Sequence, residues 1–144
     1  MTTRREFLKV VGAVASAAAL PACGPQAGPV AAGNIADIAE GQLVKVAAGP
    51  ALLGRDAGGL YAMTSTCTHL GCDLTAVGGV IGADGVITCS SPCGHGSRFD
   101  LLGDVVGGPA TRPLQHWLVT VDEAGDITIV VGAEVDAQER AAVA

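Results

Sequence analysis

The chain has 144 residues, 49% of them hydrophobic and only 3% aromatic, with 21 glycines, and a formal net charge of −6. That length sets a single domain as the expectation, and the glycine content favours short strands joined by tight turns over long helices. Beyond Cys23 five basic residues stand against thirteen acids, leaving −8. Such a surface excludes a nucleic-acid partner, which needs basic patches, and suits steering of a basic partner.

In chain order, Thr3-Arg4-Arg5-Glu6-Phe7-Leu8-Lys9 resembles a twin-arginine export motif. An eleven-residue apolar run, Val10 to Leu20, and a small-residue region follow, the layout of a signal peptide. The run is too short for a permanent bilayer span. Leu20-Pro21-Ala22-Cys23-Gly24 resembles a lipobox, which makes Cys23 a candidate lipidation site. The expected division is therefore leader 1–23, flexible linker 24–34, folded domain 35–133 and C-terminal tail 134–144, the tail a frayed helix or disordered. The expected location is the periplasm or the outer face of the cytoplasmic membrane.

Within the domain, 43–46, 51–55 and 60–64 read as strands, the last two joined by a turn at 56–59. Gly78-Gly79 and Ala83-Asp84-Gly85 mark turns. A strand at 86–88 leads to Cys89, and another leaves Gly96. Residues 117–122 and 127–131 form a last hairpin about 123–126. Many short strands with regular glycine turns predict an all-β antiparallel sandwich or barrel.

Two segments interrupt this pattern, Cys67-Thr68-His69-Leu70-Gly71-Cys72 and Cys89-Ser90-Ser91-Pro92-Cys93-Gly94-His95-Gly96-Ser97. They hold four of the five cysteines and two of the three histidines. Thiolates and imidazoles suit zinc or iron–sulfur chemistry, but six such groups are two more than a tetrahedral zinc site uses. Two sulfur ligands, two histidine ligands and a spare cysteine pair account for all six.

The first segment resembles the first cluster loop of Rieske proteins residue for residue, and the second resembles their second loop, with extra residues. Arg98-Phe99-Asp100 and Gly107-Gly108-Pro109-Ala110-Thr111-Arg112-Pro113-Leu114 are similar to the same family. The resemblance spans roughly Leu43 to Val131. It implies a Rieske fold with a cluster-binding subdomain of two loops and one [2Fe-2S] cluster, in which histidine replaces cysteine on one iron. The implied ligands are Cys67, His69, Cys89 and His95, with a Cys72–Cys93 disulfide. The family spaces its second-loop ligands C-x2-H, whereas Cys89 to His95 is C-x5-H. Exchanging Cys89 for Cys93 as ligand is the alternative.

The resemblance also implies tuning residues. Leu70 would shield the cluster, Ser97 would donate a hydrogen bond to a cluster sulfur, and Phe99 stands where high-potential members carry a tyrosine. The expected midpoint is intermediate within the family span of about −150 to +300 mV. His116 is expected to be structural or exposed rather than a ligand.

The implied function is exported electron transfer, closest to the Rieske subunit of quinol:cytochrome c oxidoreductases, with quinol and cytochrome b/c-like partners and a membrane tether. A small subunit serving a periplasmic molybdenum oxidase and an orphan periplasmic carrier are the alternatives, and a zinc-binding module is a third class.

Overall fold

The computed structural model describes residues 27–75, 81–82, 84–90 and 93–143. Among them the order is β1 (Gly28–Asn34), a 3-10 turn (Ile35–Asp37), β2 (Leu43–Lys45), β3 (Ala51–Asp56), β4 (Gly59–Thr64), β5 (Ile87–Thr88), β6 (Arg98–Phe99), β7 (Val105–Gly107), β8 (His116–Val121) and β9 (Asp126–Val135). No α-helix occurs among the described residues, and none there is long and apolar enough to cross a membrane. Strands pair antiparallel in a six-stranded curled sheet, β1-β9-β8-β4-β3-β2, and a three-stranded one, β5-β6-β7.

The β3–β4 hairpin is the central wall. Every residue of β4 is buried, because successive side chains leave a strand on opposite faces and both faces are covered. Leu52, Tyr61 and Met63 enter one core with Ile87, Phe99 and Leu114, beneath the small sheet. Ala51, Leu53, Leu60 and Ala62 enter the other with Trp117, Ile127 and Ile129, inside the curl. The hairpin turns where Asp56 Oδ1 accepts the Gly58 N–H at 2.8 Å. Opposite Tyr61, Gly54 leaves room for the ring, and a methyl there would overlap it.

The β8–β9 hairpin turns on Asp122, whose Oδ1 accepts from Ala124 N and Asp126 N, each at 2.9 Å. A register shift between Trp117 and Leu118 then lets β9 run on to Val135, opposite His116. The predicted hairpin is present, and β9 is longer than its apolar core.

Two boundary expectations are corrected. The segment expected as a linker is β1 from Gly28 onward, with Gly28 opposite Val131 and Ala31 opposite Thr128. Val30 and Ala32 pack on the inner core, so a run of small residues serves as a strand because β9 offers it an edge. The tail is neither helix nor loose. Arg140 Nε meets Asp56 Oδ2 at 2.8 Å, its guanidinium lies 4.6 Å from the Tyr61 ring centroid, and Ala141 exchanges backbone hydrogen bonds with Leu60 at 2.8 and 2.9 Å. The leader, Cys23 and the Gly78-Gly79 turn lie outside the described residues.

Candidate metal centre

Strand β4 delivers the first loop and β5 the second. In the first, Cys67 N–H donates to Cys72 O at 2.8 Å and Gly71 N–H to Cys67 O at 2.9 Å, a tight ring closed by Gly71 at φ +79°. Lys45 of β2 pins its far side through Asp73 at 3.1 Å. In the second, Cys89 N–H donates to Ser97 O at 2.8 Å and Gly96 N–H to Cys89 O at 3.0 Å. Between them Gly94 N–H reaches Ser90 O at 2.8 Å, and a methyl on Gly94 would collide with the Cys89 and Ser90 carbonyls. The Gly94-to-Ser90 bond therefore closes the loop locally, ahead of the Gly96-to-Cys89 bond at its base.

The tips are joined by a Cys72–Cys93 disulfide, Cα to Cα 5.8 Å. Cys67 and Cys89 remain free and buried. The two thiols lie close enough for the Cys67 sulfur to act on the Cys89 thiol. Burial pushes the Cys89 thiol above its ordinary value, and the adjacent Cys67 sulfur pushes it the same way, against a backbone hydrogen bond from His95. A Cys89 thiol so placed keeps its proton unless a cation draws it off.

The imidazoles sit outside this sulfur pair. His69 and His95 stand edge to face, centroids 5.0 Å apart, His69 half-buried and His95 exposed. His69 Nδ1 is buried without a hydrogen-bond partner. An orphaned lone pair there costs free energy unless a metal takes it. The donor set thus fits a centre with sulfur on its inner half and nitrogen on its outer half.

A third wall comes from residues 107–113. Ser97, fully buried, accepts the Ala110 N–H on its Oγ at 3.0 Å, which leaves its own proton to donate elsewhere. Thr68 Oγ1 donates to Arg112 O at 2.6 Å. Neither bond was readable in the sequence, since each joins residues distant along the chain. Phe99 is fully buried, and Leu70 is 66% exposed, an apolar tip on the first loop. His116 is buried and its Nε2 lies 2.8 Å from Leu102 O, a structural role as expected.

Fold and site define an all-β protein whose two bridged loops carry a pair of buried free thiols and a pair of neighbouring imidazoles. The chain belongs to the Rieske [2Fe-2S] domain family, whose model matches residues 28–118, and the cofactor it carries is a Rieske-type [2Fe-2S] cluster, a one-electron carrier. It is 36% identical over 73 residues to the cytochrome b6-f complex iron-sulfur subunit of Chlorobaculum thiosulfatiphilum, a match covering 51% of this chain and 35% of that protein. The chain thus spans about a third of that relative's length. Among solved structures it resembles the cyanobacterial plasma membrane Rieske protein PetC3 of Synechocystis PCC 6803 (TM-score 0.51, 32% identity, 69% of this chain and 97% of that one). It also resembles a chain in the complex of reduced oxygenase and oxidized ferredoxin of carbazole 1,9a-dioxygenase (TM-score 0.51, 27% identity, 77% of this chain and 100% of that one).

Proposed function

We propose that this chain is an exported single-electron carrier at the outer face of the cytoplasmic membrane, working beside a cytochrome b-type complex that oxidises quinol and passing the electron to a cytochrome c-like acceptor. Cys67 and Cys89 would hold one iron of the cluster, and His69 and His95 the other. The observation that carries the ligand set is the pairing of two unbridged buried thiols beneath two histidines, one with an orphaned Nδ1. The likeness to a cytochrome b6-f subunit supports the choice of complex, and the likeness to a plasma-membrane Rieske protein supports the location.

The residues divide the work. Burial of both sulfurs excludes water from the inner half, the disulfide holds the tips together, and the exposed His95 offers the outer half to partners. The cluster would supply one-electron transfer, and a midpoint that falls with alkaline pH would support proton uptake linked to it. Lipidation of Cys23 supplies the tether. From Cys23 to the start of β1 there are five residues, at most about 18 Å of chain, so the head stays close to the membrane rather than swinging freely.

The electron paramagnetic resonance spectrum of the reduced protein tests this. A low average g value with iron and acid-labile sulfide is expected, whereas a colourless zinc protein refutes it. A second reading keeps the carrier and changes the donor: an orphan periplasmic carrier, or a small subunit of a periplasmic molybdenum oxidase. Phe99, in place of the tyrosine of high-potential members, favours it. Failure of quinol plus its cytochrome b complex to reduce the protein would decide for it.

A further inference from the structure

The five basic residues of the described domain are not equivalent. Lys45 pairs with Asp73 at 3.1 Å, Arg98 with Asp84, and Arg140 with Asp56, both below 3 Å. Arg55 Nη1 donates to Ile38 O at 2.8 Å and to Ile35 O at 3.4 Å. Arg112 alone, among the described residues, has an exposed guanidinium with neither an ion-pair partner nor a carbonyl to serve. Its backbone is fixed to the first cluster loop by Thr68 Oγ1. It lines a cleft of about 640 Å³ together with His69 and Leu70.

Charge is also unevenly distributed. Asp37, Glu40, Asp122, Glu123 and Asp126 carry no ion pair and lie at the end of the sheet away from the cluster loops, around the β8–β9 turn and the hydrogen bond from Ile35 N to Gly125 O. Asp104 and Glu134 do line the cleft, and Glu134 is turned toward Gln115 Nε2 at 3.4 Å. Arg112 thus shares the cleft of His69 with Asp104 and Glu134 but is within ion-pair distance of neither, so its guanidinium is free to take an incoming anion.

We propose that Arg112 is the docking cation at the electron exit: it receives a carboxylate on the face of the partner protein, beside the apolar tip of Leu70. The domain's net charge selects basic partner surfaces at long range, and Arg112 then selects, within that surface, a site bearing an anion. A planar guanidinium suits this because it binds a carboxylate through two parallel hydrogen bonds. The inference rests on the electron-carrier reading above.

Small oxidants of opposite charge test it without a known partner. Each takes one electron from the reduced cluster, ferricyanide becoming ferrocyanide and tris(phenanthroline)cobalt(III) becoming cobalt(II), with no bond made or broken. Stopped-flow rates are compared for the full chain, Arg112→Gln, and Gln42→Glu, which makes the same change in net charge at the opposite end of the sheet. A trianion about 8 Å from one charge in water gains about tenfold in encounter, so Arg112→Gln should slow ferricyanide by about that factor at low ionic strength, and Gln42→Glu should hardly change it. The cobalt reagent should not slow in either variant. Citrate at constant ionic strength should compete with ferricyanide in the parent and not in Arg112→Gln. Equal ferricyanide losses in the two variants, or no effect of citrate on the parent, would overturn the assignment. A protein without the cluster's visible spectrum would instead overturn the carrier reading, before any rate is measured.

Discussion

Replacing Ser97 with alanine separates two roles of one hydroxyl. The side chain is fully buried, and its oxygen already accepts the Ala110 N–H at 3.0 Å. With its acceptor side held, the hydroxyl proton points away from residue 110, and a cluster sulfur is the acceptor that the family pattern expects. A donor to sulfur stabilises the reduced, more negative cluster and raises its potential. A hydrogen bond to a charged group contributes about 1.5–3 kcal/mol, which for one electron is about 60–130 mV. Ser97→Ala should therefore lower the midpoint by that amount in protein-film voltammetry. It should also destabilise the fold by about 1–3 kcal/mol, because Ala110 N–H is left buried and unpaired. Thr68→Val provides the comparison: it removes the other bond holding the same wall, Thr68 to Arg112 O, without touching a sulfur donor. A drop in stability alone is expected there. A Ser97→Ala midpoint within about 20 mV of the parent, or an equal shift in Thr68→Val, would refute the assignment of a sulfur donor.

The other predictions concern the loops and the C-terminal strap. Cys72→Ser should speed loss of iron and of the visible spectrum on incubation far more than it lowers the melting temperature of the apo-sheet; full iron retention would refute the role of the bridge. Gly94→Ala should prevent cluster assembly, because its methyl would meet backbone carbonyls that cannot yield, whereas Gly71→Ala, with open space but φ +79°, should cost only about 1 kcal/mol of backbone strain in denaturant titrations. Asp56 titrates below its ordinary value near 3.8: burial opposes the shift, but the Arg140 hydrogen bond, the Gly58 N–H, the Arg140 charge and the Gly59 N–H together outweigh it. A depressed folded value means that stabilisation is present above about pH 4 and is lost as pH falls through the folded value. Asp56→Asn should thus lower the melting temperature at pH 7, with the gap to the parent closing below pH 3.8; a gap that is constant with pH would show that the ion pair contributes nothing.

Local chemistry in the sequence was enough for the cofactor class and most of the framework. Thiol and imidazole groups packed into two short segments have few chemical uses, and short apolar runs broken by glycine turns are legible in windows of six residues, hence β3, β4, β8 and β9. Partner selection across the chain was not legible. Strand β1 looked like a linker because Gly28–Asn34 has little hydrophobic signal of its own; it becomes a strand only because β9, a hundred residues away, presents an open edge. The tail had no periodic pattern, and its order comes from Arg140 reaching Asp56 and Tyr61. The family resemblance implied a Cys72–Cys93 bridge, with exchange of Cys89 and Cys93 as the alternative, because the second loop departs from the family spacing. Tertiary structure decides it by distance and burial: Cys93 reaches Cys72 at the tips, while Cys89, held at the loop base by Ser97 O, faces Cys67 in the interior.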